Sequence, residues 1–166
     1  MKQTYELVRQ ARTGDAHAFA KLYETVYKDL YRFALYTLHH AQDAEDAVSE
    51  TVIDAFAQIR NLREAESFKS WIFRILTAKC SRRIRQYTRR EEELDESLGS
   101  PAPELWEQTD VRRAFTSLSD EDRMIVSMSV FAGYSSQEIG TILNMNPNTV
   151  RSRQSRALKK MEAQLI

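Results

Sequence analysis

Apolar residues recur every three or four positions along most of the chain, the period of a helix with one buried face. Asp15 reads as an N-cap, and Phe19, Leu22, Tyr23, Val26, Leu30 and Phe33 follow it as one stripe. Asp43 reads as the next cap, ahead of Val48, Val52, Phe56 and Ile59. Ser67 reads as the cap of a third helix, whose stripe is Phe68, Trp71, Ile72 and Ile75, running on toward Ile84. Trp71 lies on that stripe and is expected in the core, whereas Phe73 lies off it. Three helices of this length can bury one shared core.

After residue 90 the period fails. The stretch EEELDESLGSPAPE holds two of the three prolines, and residues 91–103 read as a flexible linker extended by its own charge. Helical spacing resumes with Leu105, Val111, Ala114, Phe115 and Leu118. Ser119 caps a helix carrying Ile125, Met128 and Phe131, which Gly133 is expected to end. Ser135 and Glu138 fit the capping box of a short helix with Ile139, Ile142 and Leu143. Asn144 and Met145 make a turn, and Asn146 caps a last helix with Pro147 at its first position. Its buried face is expected to be Val150, Ala157, Leu158, Met161 and Leu165. The expected fold is all-α: two small helical domains, residues 1–90 and 104–166, joined by the acidic linker, the second containing a helix-turn-helix.

Composition narrows this further. Four glycines and three prolines in 166 residues are too few for an all-β chain. A lone cysteine, Cys80, can make neither an internal disulfide nor a thiolate cage, and in a helix it reads as packing. No apolar run nears the roughly 18 residues of a membrane span, and MKQTYELVRQ lacks a signal-peptide core. The expectation is a cytoplasmic protein with no membrane insertion.

The 24 basic and 24 acidic residues cancel, but not locally. Residues 43–66 carry net −5, 67–90 net +8, 91–110 net −8 and 143–166 net +4. Two basic blocks, each ending a helical pattern, point to two separate anionic contacts. Because the −8 block complements its +8 neighbour, the free domains are also expected to pack together and mask those contacts.

Residues 135–160 give a short helix, a tight turn and a longer helix with a polar first half, the helix-turn-helix pattern. The first turns of a helix in the major groove must carry groups that read base edges. Here they offer Asn148, Thr149, Arg151, Ser152, Ser155 and Arg156, with Lys159 and Lys160 further along for phosphates. The other basic block interleaves Lys79, Arg82, Arg83 and Arg85 with Phe73 and Tyr87, which suits single strands whose bases stack. Phe73, off the buried stripe, is the stacking candidate. In the acidic block the helix dipole accounts for Asp43, Glu45 and Asp46, but Glu50 and Asp54 sit too far along and suit a partner. His39 and His40 are expected to finish the first long helix as cations. No nucleophile, phosphate-loop or metal-ligand motif appears, so no catalytic residue, metal or cofactor is expected.

Three stretches in order, DAEDAVSETVIDAFAQI, SFKSWIFRI and SDEDRMIVSMSVFAGYSSQEIGTILNMNPNTVRSRQSRALKKM, resemble a bacterial RNA polymerase sigma factor of the small, two-domain extracytoplasmic-function (ECF) type. The resemblance implies an alternative sigma factor that binds core RNA polymerase and directs promoter-specific initiation. Its first domain would meet the polymerase clamp through Asp43, Asp46, Glu50 and Asp54. The same domain would help open the −10 element through Asn61, Phe73, Arg74, Lys79, Arg82 and Arg83, residues 61–67 resembling the pocket for a flipped base. Its second domain would read −35 duplex through Arg151, Ser152, Ser155 and Arg156. The family also implies an anti-sigma factor as partner. One departure is Ala78, where many members carry Asn. The competing reading is a free-standing helix-turn-helix regulator, which leaves the acidic helix and the first basic block without a role.

Overall fold

The computed structural model describes residues 2–93 and 110–165. The described residues form α1 (Lys2–Arg12), α2 (Ala16–Leu38), α3 (Ala41–Gln58), 3-10 turns at Ile59–Asn61 and Ala65–Ser67, α4 (Phe68–Glu93), α5 (Asp110–Thr116), α6 (Asp120–Val130), α7 (Ser136–Leu143) and α8 (Pro147–Leu165). No strand occurs among them.

Local chemistry sets the helix ends. The Asp15 carboxylate accepts the amides of His17 and Ala18 at 3.0 and 3.1 Å and starts α2. That helix stops at His39, which takes the left-handed conformation (φ 60°) and donates its N–H to Leu35. Two expectations about caps are corrected. The cap of α3 is His40, whose Nδ1 accepts the amide of Asp43 at 3.2 Å, so Asp43 is the third residue of the helix. Ser67 is not the extended residue of an N-cap but the last of the 3-10 turn Ala65–Ser67, which runs straight into α4.

The main core lies between α1, α2, α3 and α4 and continues through Met124, Ile125 and Met128 of α6 to Tyr134, Ile139 of α7 and Val150 of α8. Because α4 packs against both α2 and α3, it buries two adjacent faces rather than one stripe, with Phe68, Ile72, Phe73, Leu76 and Cys80 all inside. Phe73 is therefore a core residue, edge-to-face on Phe33 with ring centroids 5.8 Å apart. It cannot stack on a base without leaving that core. Trp71 is half-buried against Phe68. Burial pushes the Cys80 thiol pKa up despite nearby Arg83, so the cysteine is inert packing. Val48 on α3 and Ile59 in the 3-10 turn after it are buried, but Phe56 is exposed at one edge.

In the second domain α5, α6 and α8 close on a smaller cluster of Ala114, Phe115, Leu118, Val126, Ala157 and Met161, and α7 packs on α8. Helix α6 ends at Val130, and Gly133 follows in the left-handed region (φ 70°). Leu158 and Leu165 are exposed, so the buried face of α8 is narrower than its spacing predicts. Residues 91–93 continue α4 instead of opening the linker, as Glu's good helix propensity allows. The rest of the expected linker, and Leu105, lie outside the described residues.

Candidate nucleic-acid and polymerase interfaces

The helix-turn-helix is built from its caps. The Ser135 hydroxyl accepts the Glu138 amide while the Glu138 carboxylate accepts the Ser135 amide, closing the box that starts α7. Asn144 ends α7 in the left-handed conformation (φ 56°), and the Met145 amide reaches back to the Gly140 carbonyl at 2.8 Å. Gly140 is required there: a Cβ on it would stand 2.6 Å from the Met145 carbonyl oxygen. Asn146 Oδ1 then accepts the Asn148 amide at 2.8 Å, and Pro147 begins α8.

The roll of α8 is fixed by what it buries and what it grips. Val150, Ala157 and Met161 point inward. Arg153 pairs with Glu121 and with Asp122 (Nε–Oδ1 2.9 Å), and Gln154 donates to the Ser129 hydroxyl at 2.8 Å. Asn148, Thr149, Arg151, Ser152, Ser155, Arg156 and Lys159 are consequently all exposed. Arg151, Ser152, Ser155 and Arg156 line one shallow, open depression. Two details refine the expectation. Arg151 bonds to the Asn148 side-chain oxygen, and Lys160 donates to the Ser117 carbonyl at 3.0 Å.

On α4, Arg74, Ala78, Arg82 and Arg85 share an exposed face. That face borders a groove whose far side is Asp120, Glu121, Met124, Ile142 and Leu143 of the second domain. Asn61 is exposed at the end of its 3-10 turn. Lys79 and Arg83 behave differently. Lys79 forms an ion pair with Asp54, and Arg83 pairs with Glu50 at 2.9 Å and with Asp43 at 3.7 Å. The Tyr87 hydroxyl also donates to Asp43, and burial first, with that carboxylate second, raises its pKa. Acids and bases that the sequence assigns to two different partners are thus paired with one another. Asp46 is exposed and accepts the Gln42 side chain at 3.1 Å.

Sequence reasoning missed two features. Ile53 is 69% exposed on α3, one turn beyond Glu50 and beside Asp54. The signal was present, because Ile53 falls off the Val48–Val52–Ile59 stripe. The other is the seam between domains, where α6 packs on α2. Tyr36 stacks on Phe131 at 5.0 Å and meets Phe115 at 4.8 Å. Arg123, almost wholly buried, donates to the Leu118 carbonyl (2.8 Å) and across the seam to the Thr37 carbonyl (3.4 Å), and pairs with Asp120. Burial, aided by the Arg123 charge, brings the His39 pKa down from 6.5 to about 4. His39 is therefore neutral near pH 7 and not the helix-end cation its position suggests. The domains do pack together, but through this apolar seam, which charge blocks did not foretell.

Among the described residues no group of His, Cys, Asp or Glu is placed to hold a metal, and no helix is long and apolar enough to cross a membrane. The sequence family described as Sigma-70 region 2 matches residues 22–90, and Sigma-70, region 4, matches residues 108–161. RNA polymerase sigma factor SigV of Bacillus subtilis is 30% identical over 141 residues, covering 83% of this chain and 85% of SigV. ECF RNA polymerase sigma factor SigM of Mycobacterium tuberculosis is 28% identical over 160 residues, covering 94% and 81%. Among solved structures, sigma factor RpoE of Bartonella quintana, in complex with the anti-sigma factor NepR, superposes with a TM-score of 0.70 at 24% identity, over 89% of this chain and 96% of that one. CnrH, in complex with the cytosolic domain of CnrY, gives 0.68 at 23% identity, over 98% and 97%. With a region 2 domain beside its helix-turn-helix, the chain belongs to the ECF-type RNA polymerase sigma factors and is an alternative sigma factor that directs promoter-specific transcription initiation.

Proposed function

We propose that the two parts of initiation are divided between the domains, through residue 90 and from residue 104, with residues 91–103 between them. The −35 duplex is read by Asn148, Thr149, Arg151, Ser152, Ser155, Arg156 and Lys159. The observation that carries this reading is that all seven are exposed on one half of α8 while its other face is clamped to α6. Arg offers a bidentate partner for guanine and Asn one for adenine, and Lys159 lies where a phosphate contact is expected.

The −10 element is engaged by Asn61, Arg74 and Arg82, joined by Lys79 and Arg83, with Phe73 removed from that set by its burial. Ala78, exposed in the middle of the face, offers a base no hydrogen bond, so contacts there come from its arginine neighbours. Core polymerase is met by Asp46, Glu50 and Asp54 of α3 with Ile53 among them, and by Asp43 at the head of the helix. An anti-sigma factor is a further partner, a reading supported by the solved complex of RpoE with NepR. A cytoplasmic location follows from a partner that is core polymerase.

Run-off transcription with purified core polymerase tests the whole reading. A promoter-dependent product that needs both domains supports it. Promoter binding by the second domain with no dependence on core polymerase would return the chain to the free-standing regulator.

A further inference from the structure

The four residues Asp54, Lys79, Glu50 and Arg83 lie between the acidic row of α3 and the open basic face of α4, and they are bound to each other. Their exposure is unequal. The side chains of Lys79 and Arg83 are 15% and 19% exposed, those of Asp54 and Glu50 37% and 48%. A basic partner arriving on α3 therefore reaches the carboxylates first, while the two cations stay shielded beneath them. Arg74, Arg82 and Arg85, on the neighbouring face of α4, are exposed and form no ion pair among the described residues.

We infer that these pairs are a charge hand-off linking polymerase binding to promoter opening. In the free factor, Asp54 holds Lys79 neutralised, and Glu50 at 2.9 Å with Asp43 at 3.7 Å holds Arg83, so α4 offers DNA only part of its positive charge. When basic groups of core polymerase engage Asp54 and Glu50, Lys79 and Arg83 turn to the phosphates of the melted −10 strand. Each cation trades one charge-assisted carboxylate partner for a phosphate of the same kind, so the exchange itself costs little, whereas leaving the shielded cation unpaired does not. The link is reciprocal: whatever factor polymerase adds to DNA affinity, DNA adds to polymerase affinity. This inference rests on the division of labour proposed above and supplies its coupling.

The test is binding of a fluorescent single-stranded −10 oligonucleotide to the full chain without polymerase, across a salt series. E50Q/D54N should bind more tightly than wild type, and its salt slope should steepen by about 0.7 for the freed Lys79 and by up to about 1.4 as Arg83 also leaves Asp43 for a phosphate. Between about 50 and 200 mM salt its affinity should then fall about three- to sevenfold more than wild type's. Adding K79Q/R83Q should remove both effects. If the gain survives in that quadruple variant, the acids merely repel DNA and the hand-off is wrong. If E50Q/D54N loses helical circular dichroism, K79Q/R83Q in the assembled holoenzyme decides. Its promoter-opening slope should be shallower than wild type's by the same amount, and an unchanged slope overturns the inference. Wild-type run-off activity alongside an unchanged E50Q/D54N slope rejects the hand-off alone; absent run-off activity rejects the reading beneath it.

Discussion

The Tyr134 hydroxyl donates to the Ser70 carbonyl at 2.9 Å, tying the segment between α6 and α7 to the first turn of α4. The bond joins the helix-turn-helix domain to the helix assigned to the −10 element. Burial raises the tyrosine's pKa, so the phenol stays protonated and the bond stays intact through the neutral range. Tyr134→Phe should lower stability by about 0.5–1.5 kcal/mol, the usual net worth of one such bond. Thermal unfolding checks this, and no change in midpoint would mean water replaces the phenol without loss.

Tyr36 and Phe131 should matter more for the domain arrangement than for either domain's fold. They meet across the seam, and the same helices bury the Thr37 and Ser127 hydroxyls, for which no hydrogen-bond partner occurs among the described residues. Buried hydroxyls without partners weaken an interface that water could otherwise fill. Tyr36→Ala should therefore expand the free protein in small-angle scattering while leaving its helical content unchanged. It should also raise access to the Arg74–Arg82 face that borders the inter-domain groove.

The His39 ring gives the seam a pH dependence. Its folded pKa, about 4, lies below the ordinary 6.5, so the unfolded or opened chain takes up a proton more readily. Stability from this residue is complete above about pH 6.5 and is lost as pH falls from there toward about 4. Unfolding midpoints should drop across that window, and His39→Gln should flatten that part of the profile. A drop of equal size in the variant would place the titration elsewhere.

The helix-turn-helix was legible in the sequence because its signals are local. Ser135, Glu138, Asn146 and Pro147 act on their own backbone, so spacing alone locates them. The turn also needs Gly140, which no spacing rule marks, since its constraint is a carbonyl five residues on. Phe73 was misread for a related reason. One stripe describes a helix packed on one neighbour, and α4 has two. The pairing of Lys79 with Asp54 and of Arg83 with Glu50 lies beyond any one-dimensional charge count. That count records how much charge each segment carries and not which segments face each other.

Gly140→Ala should distort the turn, because the new methyl meets backbone and not a side chain that can swing away. The expected outcome is a lower melting temperature together with weaker −35 duplex binding. Arg156→Ala touches no structural bond beyond a long 3.4 Å contact to Ser152, so it should leave stability intact. It should instead cost about 1–3 kcal/mol of promoter affinity and relax base choice at one position. Binding to a panel of −35 variants separates the two. An unchanged preference for Arg156→Ala would make it a phosphate contact.

Ile53→Asp isolates the polymerase surface. An isoleucine this exposed has little folded-state packing to lose, so the substitution should change stability by no more than about 0.5 kcal/mol. Its neighbours Glu50 and Asp54 are already engaged by Arg83 and Lys79, and replacing either would disturb α4 as well. Ile53 has no such second role, which makes it the cleaner probe of α3. If core polymerase docks on this face, burying the isoleucine contributes to capture, and an aspartate there would have to be desolvated without a partner. Pull-down of core polymerase should fall by tenfold or more, about 1.4 kcal/mol, while the variant's −35 duplex binding stays at the wild-type level. Undiminished capture would move the docking surface off this face of α3.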